Sequence, residues 1–336
     1  MGIRGLNTCI NRTIPNHVKP VQWKIMRKTR IGIDINCFLY RALANHIMPI
    51  RIIAEQIAKF KKLGITPIYV FDGKPPSEKD IVVTKRKTDR KIALELKESL
   101  YRLLNTEIDA QNRETLLNQI HDLESANPVL TYETRDEIKQ FLYATGTMFV
   151  SAMAEADSLL AYFYKRGIID CVASFDIDFL PRGSVLIIPK SINEPPGASW
   201  LYYDPVSIRR GLKLSESDFV DFCVLLGSDY TPNLAIVPWK VALQSLQNGE
   251  DINSIWARHT FSNWRRSDSN KDMSQDMDQI VKARAILMGT DETPEKLMDP
   301  IQWLKWGSIC TKEPPVIKEF MLKYSDWGTE IWDGLS

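Results

Sequence analysis

Short apolar runs that end in an aspartate are what most limits how this chain can fold. IGIDI (31–35) carries Asp34, TPIYVF (66–71) is followed by Asp72, and CVASF (171–175) is followed by Asp176. Runs of β-branched and aromatic residues this short, alternating with helix-spaced segments, predict strands buried on both faces of a parallel sheet. TMFVSA (147–152) and SVLIIP (184–189) predict further strands, and the segments 37–63, 154–166 and 215–248 predict helices. The expected fold class is therefore α/β, a mainly parallel twisted sheet with helices on both faces. Reactive groups in such sheets gather beyond the carboxyl ends of the strands. The strand-end acids should then face one crevice.

Seven carboxylates follow this placement: Asp34, Asp72, Glu155, Asp157, Asp176, Asp178 and Asp229, the last in LLGSDY. Asp176 and Asp178 lie on one side of an extended segment, and Glu155 and Asp157 repeat that spacing at a helix start. Like charges a few ångströms apart hold either protons or cations. An all-oxygen set without clustered Cys or His suits Mg²⁺ or Mn²⁺ rather than zinc, and a pair of such ions serves phosphodiester cleavage. Taken one at a time, the same acids are helix caps and turn residues, and the pattern alone leaves that reading open. Lys79 and Arg86, seven residues apart on a helix after Asp72, share a face that points into the pocket or into solvent. Tyr40, six residues past Asp34, either stacks on a base or packs within its helix.

The net charge of +1 conceals an uneven distribution. Seven Lys or Arg and no acid precede Asp34, and residues 74–102 carry nine basic against five acidic side chains. An acidic pocket between basic segments suits a polyanionic substrate. The five cysteines are scattered and the four histidines show no ligand spacing, which argues against a disulfide framework or a zinc site. With no long apolar stretch and no signal-peptide core, the protein is expected to be soluble, intracellular, not secreted, monomeric and without membrane contact. The segment between Gly73 and Gly146 contains no glycine and is rich in helix formers. It should project from the sheet as a helical excursion, with Thr134 and Glu137 as the capping box of its returning helix. Residues 250–336 hold six of the nine tryptophans and read as helical, their aromatics as core, with a mobile loop at 266–279.

MGIRGL, Asp34 in IDIN, YVFDGKPP, EAD, DID and LLGSDY occur in that order from residue 1 to about 230. Together they resemble the flap endonuclease/XPG family of structure-specific 5′ nucleases. The resemblance implies a PIN-like fold and a two-Mg²⁺ mechanism, with Mn²⁺ able to substitute. It implies cleavage of branched DNA near a 5′ single-stranded end in replication and repair, hence a location at DNA replication or in a nucleus. It places Asp34, Asp72, Glu155 and Asp157 around one metal, and Asp176, Asp178 and Asp229 around the second. It gives Lys79 and Arg86 the scissile phosphate and Tyr40 the neighbouring base. Gly2, Arg4, Lys85, Arg90 and Lys240 become DNA contacts, and the glycine-free excursion becomes an arch over the single strand. The implied organisation is a nuclease region at 1–100 with the arch starting near 74, cap helices at 101–130, an internal nuclease region at 131–214, and a helix-turn-helix-like and C-terminal region at 215–336. A junction- or bubble-cutting relative and a catalytically inactive DNA-binding relative remain alternatives.

Two departures stand out. Where the family has a glycine-rich, potassium-binding turn that grips duplex DNA, this chain has NLAIVPWKVA (233–242). Ala235 and Val237 deny a phosphate the backbone approach that glycine allows, so the potassium site is not expected and Lys240 becomes the substitute phosphate contact. The ending DWGTEIWDGLS carries no clamp-binding motif, so no sliding clamp is assigned.

Overall fold

The computed structural model describes residues 2–107, 109–231, 234, 236–264, 273–290, 293–298 and 314–335. Seven strands form one sheet: β1 (Val18–Pro20), β2 (Arg30–Asp34), β3 (Thr66–Phe71), β4 (Met148–Ser151), β5 (Cys171–Ala173), β6 (Leu186–Ile188) and β7 (Leu201–Tyr203). Their order is β1-β7-β6-β5-β2-β3-β4. The pairs β2–β3, β2–β5, β3–β4 and β5–β6 run parallel, whereas β7 pairs antiparallel with β1 and β6. From β2 the chain steps to β3 and β4 on one side, then returns to β5 and β6 on the other. The crevice between β2 and β5 is thus the topological switch point, where such sheets bind ligands. Strands β1 and β7 escape the sequence reading, being three residues each with no alternation.

Alternate strand residues feed two cores. Ile68, Val70 and Val172 pack on one face with α1 (Leu6–Thr13), α7 (Ala156–Lys165), α9 (Glu216–Leu226) and α10 (Trp239–Gln247). Ile31, Ile33, Tyr69 and Phe71 pack on the other with α2 (Ile35–Ala44), α3 (Pro49–Leu63), α6 (Tyr132–Ala144) and residues 317–335. Gly32 lets α7 cross tightly over β2, because a Cβ there would stand 2.5 Å from Leu160 and Ile169.

Several boundaries differ from expectation. The helix expected at 37–63 is two helices, split at residues 45–48, with Pro49 opening the second at a position where its missing N–H costs nothing. The helix expected at 215–248 breaks at 227–238, where Pro238 stands as N-cap of α10. Thr131, not Thr134, caps α6, accepting from the Thr134 amide at 3.2 Å. Within the polar stretch 266–279, residues from Met273 onward belong to a helix (Met273–Met288), and 266–272 lie outside the described residues. Trp256 and Trp327 are buried; Trp303 and Trp306 lie outside the described residues.

The glycine-free segment forms α4 (Asp80–Thr106) and α5 (Ala110–Ala126). At 27 residues, α4 spans about 40 Å. The two helices share a small apolar cluster around Leu100, Leu104 and Ile120, and Lys97 pairs with Glu124 across them at 2.6 Å. Against α2, α5 is held by the stacked rings of His46 and His121, 3.9 Å apart, and by His46 Nε2 and Ser125 Oγ at 2.8 Å.

Candidate active site

Each acid is delivered by the end of an element. Asp34 ends β2, and its carboxylate accepts from the Cys37 amide at 3.4 Å and the Ser174 hydroxyl at 2.9 Å. Asp72 follows β3 and accepts from the Ala156 amide at 2.8 Å and from the Asn36 side chain. Glu155 and Asp157 begin α7. Asp176 follows β5 and accepts from the Asp178 amide at 3.0 Å, while Asp178 Oδ1 accepts from the Ile3 amide at 2.9 Å. The cap reading of these acids is therefore true locally: Asp34 and Asp176 do cap helical turns. It does not explain why they converge.

Convergence appears in their electrostatics. Burial, then the charge of Asp157, pushes up the carboxyls of Asp72, Glu155 and Asp176. Burial again leads for Asp34, with Asp72 and Asp157 adding to it, and for Asp178, with Asp176 and Asp157 adding to it. Asp157 is thus the hub of six carboxylates. Asp34 is 4% exposed and Asp178 2%, so water screens little of the repulsion.

The cations sit on these acids. Lys79, 8% exposed, donates to Glu155 Oε1 at 2.7 Å. Burial alone would lower its pKa, but Tyr230, Asp157 and Glu155 more than offset that and raise it. Arg86 pairs with Asp229 at 2.6 Å. That pair ties α4 to Asp229 and is more open to solvent than the pair of Lys79 and Glu155. Gly2 lies inside the site: with φ 95°, it is so close that a Cβ would stand 2.6 Å from Asp176 Oδ1. Tyr40 stands beside α4, with the Arg90 guanidinium 5.7 Å from its ring.

The remaining expected DNA contacts are exposed and scattered. Lys85 and Arg90 lie on α4, Arg4 on the segment whose amide donates to Gly227, and Lys240 in the first turn of α10 beside Trp239. Of the altered turn, Val237 is buried and its amide donates to Leu225, so it presents no phosphate-binding face; Ala235 lies outside the described residues. Sequence reasoning passed over Asn36, Ser174, Arg182 and Tyr230. Tyr230 adjoins Asp229 within its motif and was findable; Arg182 carries no local signal.

In donor chemistry this set fits hard divalent cations: oxygen ligands only, buried, with more negative charge than Lys79 and Arg86 neutralise. As the side chains lie, no three acidic, histidine or cysteine groups among the described residues stand in a ligating cluster.

The XPG N-terminal domain description matches residues 1–93 and the XPG I-region description residues 146–229, together more than half of the chain. The chain belongs to the flap endonuclease/XPG family. The unmatched interval, 94–145, holds the second half of α4, α5 and α6, while the seven acids, Lys79 and Arg86 all fall within the matched residues. Flap endonuclease 1 of Aedes aegypti is 28% identical over 276 residues, covering 76% of this chain and 68% of the relative. That of Entamoeba dispar is 27% identical over 274 residues, covering 76% and 69%. Among solved structures, the catalytic core of Rad2 superposes with a TM-score of 0.58 at 18% identity over 100% of this chain and 99% of that one. Flap endonuclease-1 from Methanococcus jannaschii gives 0.59 at 18%, over 95% of each chain. Human GEN1 in complex with Holliday junction DNA gives 0.56 at 15%, over 99% of this chain and 77% of that one. These likenesses establish the XPG nuclease fold for the chain.

Proposed function

We propose that this chain is a Mg²⁺-dependent, structure-specific 5′ nuclease that hydrolyses DNA phosphodiesters at or near a 5′ single-stranded end, as a flap endonuclease, a 5′–3′ exonuclease or both. The observation that carries the reading is the gathering of five buried or half-buried carboxylates around Asp157 beside a charged Lys79. A fold that only bound DNA would gain nothing from so much buried repulsion. Asp34, Asp72, Glu155 and Asp157 would hold one ion, and Asp176, Asp178 and Asp229 a second. Bound there, the ions supply an activated water and stabilise charge on the phosphate.

The chain's own groups do the positioning. Lys79 and Arg86 are the cations that can exchange a carboxylate for the scissile phosphate, since phosphate oxygens offer each the same charge-assisted hydrogen bond. Tyr40 offers a ring for the adjacent base. The arch helices α4 and α5 stand where a single strand would pass, and the basic surplus of α4 suits that strand's charge. Action in replication or repair, at the site of DNA synthesis, follows from this substrate class. No helix among the described residues is long and apolar enough to cross a membrane.

The test is strand-resolved cleavage of flap, nicked, bubble and four-way DNAs with Mg²⁺. The 5′-flap duplex should be cut, and Asp176→Ala should abolish cutting while duplex binding survives. Unchanged cutting by that variant would overturn the reading. Preferential cutting of bubbles or four-way junctions would move the protein to the junction-cutting branch of the same chemistry.

A further inference from the structure

Arg182 lies four residues beyond Asp178, outside every acidic motif, yet is only 2% exposed. A guanidinium keeps its proton under all ordinary conditions, so a buried one is tolerated only where acceptors or negative charge compensate it. One terminal nitrogen donates to Ser158 Oγ at 3.2 Å, and the other to the Tyr230 hydroxyl at 3.0 Å. Its charge also draws down the Asp178 carboxyl against the burial that raises it. Tyr230, itself buried, donates its hydroxyl to Glu155 Oε2 at 3.0 Å, and its ring lies 4.4 Å beneath the Lys79 ammonium. Ser158 follows Asp157 and Tyr230 follows Asp229. One side chain thus ties together the three segments that carry Glu155 and Asp157, Asp176 and Asp178, and Asp229.

The direction of the hydrogen bonds matters. Arginine has donors and no acceptor, and a phenol has one proton. With Arg182 donating to the Tyr230 oxygen, the phenolic proton is left for Glu155. Both Glu155 oxygens are then engaged, one by Lys79 and one by Tyr230, which holds the carboxylate in a single orientation.

We infer that Arg182, acting through Tyr230, is a positioning residue that sets the orientation of Glu155 and Lys79 for divalent-ion binding. This rests on the nuclease reading. Tyr230→Phe is the decisive variant, because it keeps the ring under Lys79 and removes only the hydroxyl. Binding of Mn²⁺ to metal-free protein without DNA, followed by electron paramagnetic resonance, should weaken roughly 10-fold, as for other groups that orient metal ligands. At saturating Mg²⁺, kcat on a 5′-flap duplex should fall by about the same factor with KM unchanged. Arg182→Met should act in the same direction, and the double variant should be no worse than Tyr230→Phe alone. Wild-type Mn²⁺ affinity and kcat in Tyr230→Phe would overturn the inference, as would losses that multiply in the double variant. If Arg182→Met does not fold, Tyr230→Phe alone decides. A wild-type protein that cuts no DNA with any divalent ion would sink the nuclease reading instead, so the two failures are distinct.

Discussion

At the scale of single residues, burial and mutual repulsion make the acidic site costly to the fold and useful to a cation. Asp34, Asp72, Glu155, Asp176 and Asp178 all hold protons to a higher pH in the folded chain than carboxyls ordinarily do. The unfolded chain gives up those protons first. Stability of the metal-free protein should therefore decline as pH rises from about 4 through the raised values. A divalent ion needs the ionised form and opposes the decline. Mg²⁺ should thus raise the thermal midpoint more at pH 8 than at pH 5.5, and equal shifts at the two pH values would contradict this. Lys79→Met should lower single-turnover cleavage by roughly 10²–10³-fold, the usual scale for losing a group that stabilises developing charge. The same change leaves Glu155 without its counter-charge, so tighter Mn²⁺ binding alongside slower cleavage would separate the two roles of the lysine.

At the scale of elements, the arch and the C-terminal helices differ in how firmly they are built. The cluster of Leu100, Leu104 and Ile120 is the arch's whole shared core among the described residues, so Ile120→Asp should open it locally. Hydrogen exchange should show lost protection over 90–126 while β2 and β3 keep theirs, because sub-global opening does not require the sheet to unfold. Loss of protection across the sheet would mean that the arch is integral to the body. The C-terminal helices instead lie deep in the second core. Trp327 stacks on Tyr324 at 4.5 Å and on Trp332 at 5.3 Å and meets Phe141 edge-on at 6.3 Å. Trp327→Ala should cost about 3–5 kcal/mol in chemical unfolding, the range for buried aromatic truncation.

At the scale of the whole molecule, the altered turn changes how duplex DNA would be gripped. With Val237 buried and the exposed Lys240 beside it, affinity should follow total ionic strength, since Lys and Arg contacts release counterions. Stimulation by K⁺ over Na⁺ at equal ionic strength would contradict that. The sequence by itself determined the parallel sheet, because strand-length apolar runs between helical segments admit few other arrangements. It pointed to the acids that could share a crevice, since they end those runs or open the next helix, and it marked the long helices α4 and α5 through the absence of glycine. Only the tertiary structure decided β1 and β7, which are too short to carry a period, whereas the breaks before Pro49 and Pro238 have a local signal in those prolines. The tertiary structure alone set Asp157 among the charges of the other acids and paired Asp229 with Arg86. It alone brought Arg182 and Tyr230 behind Glu155, because contacts between residues 24 to 75 positions apart leave no periodic trace in a linear chain.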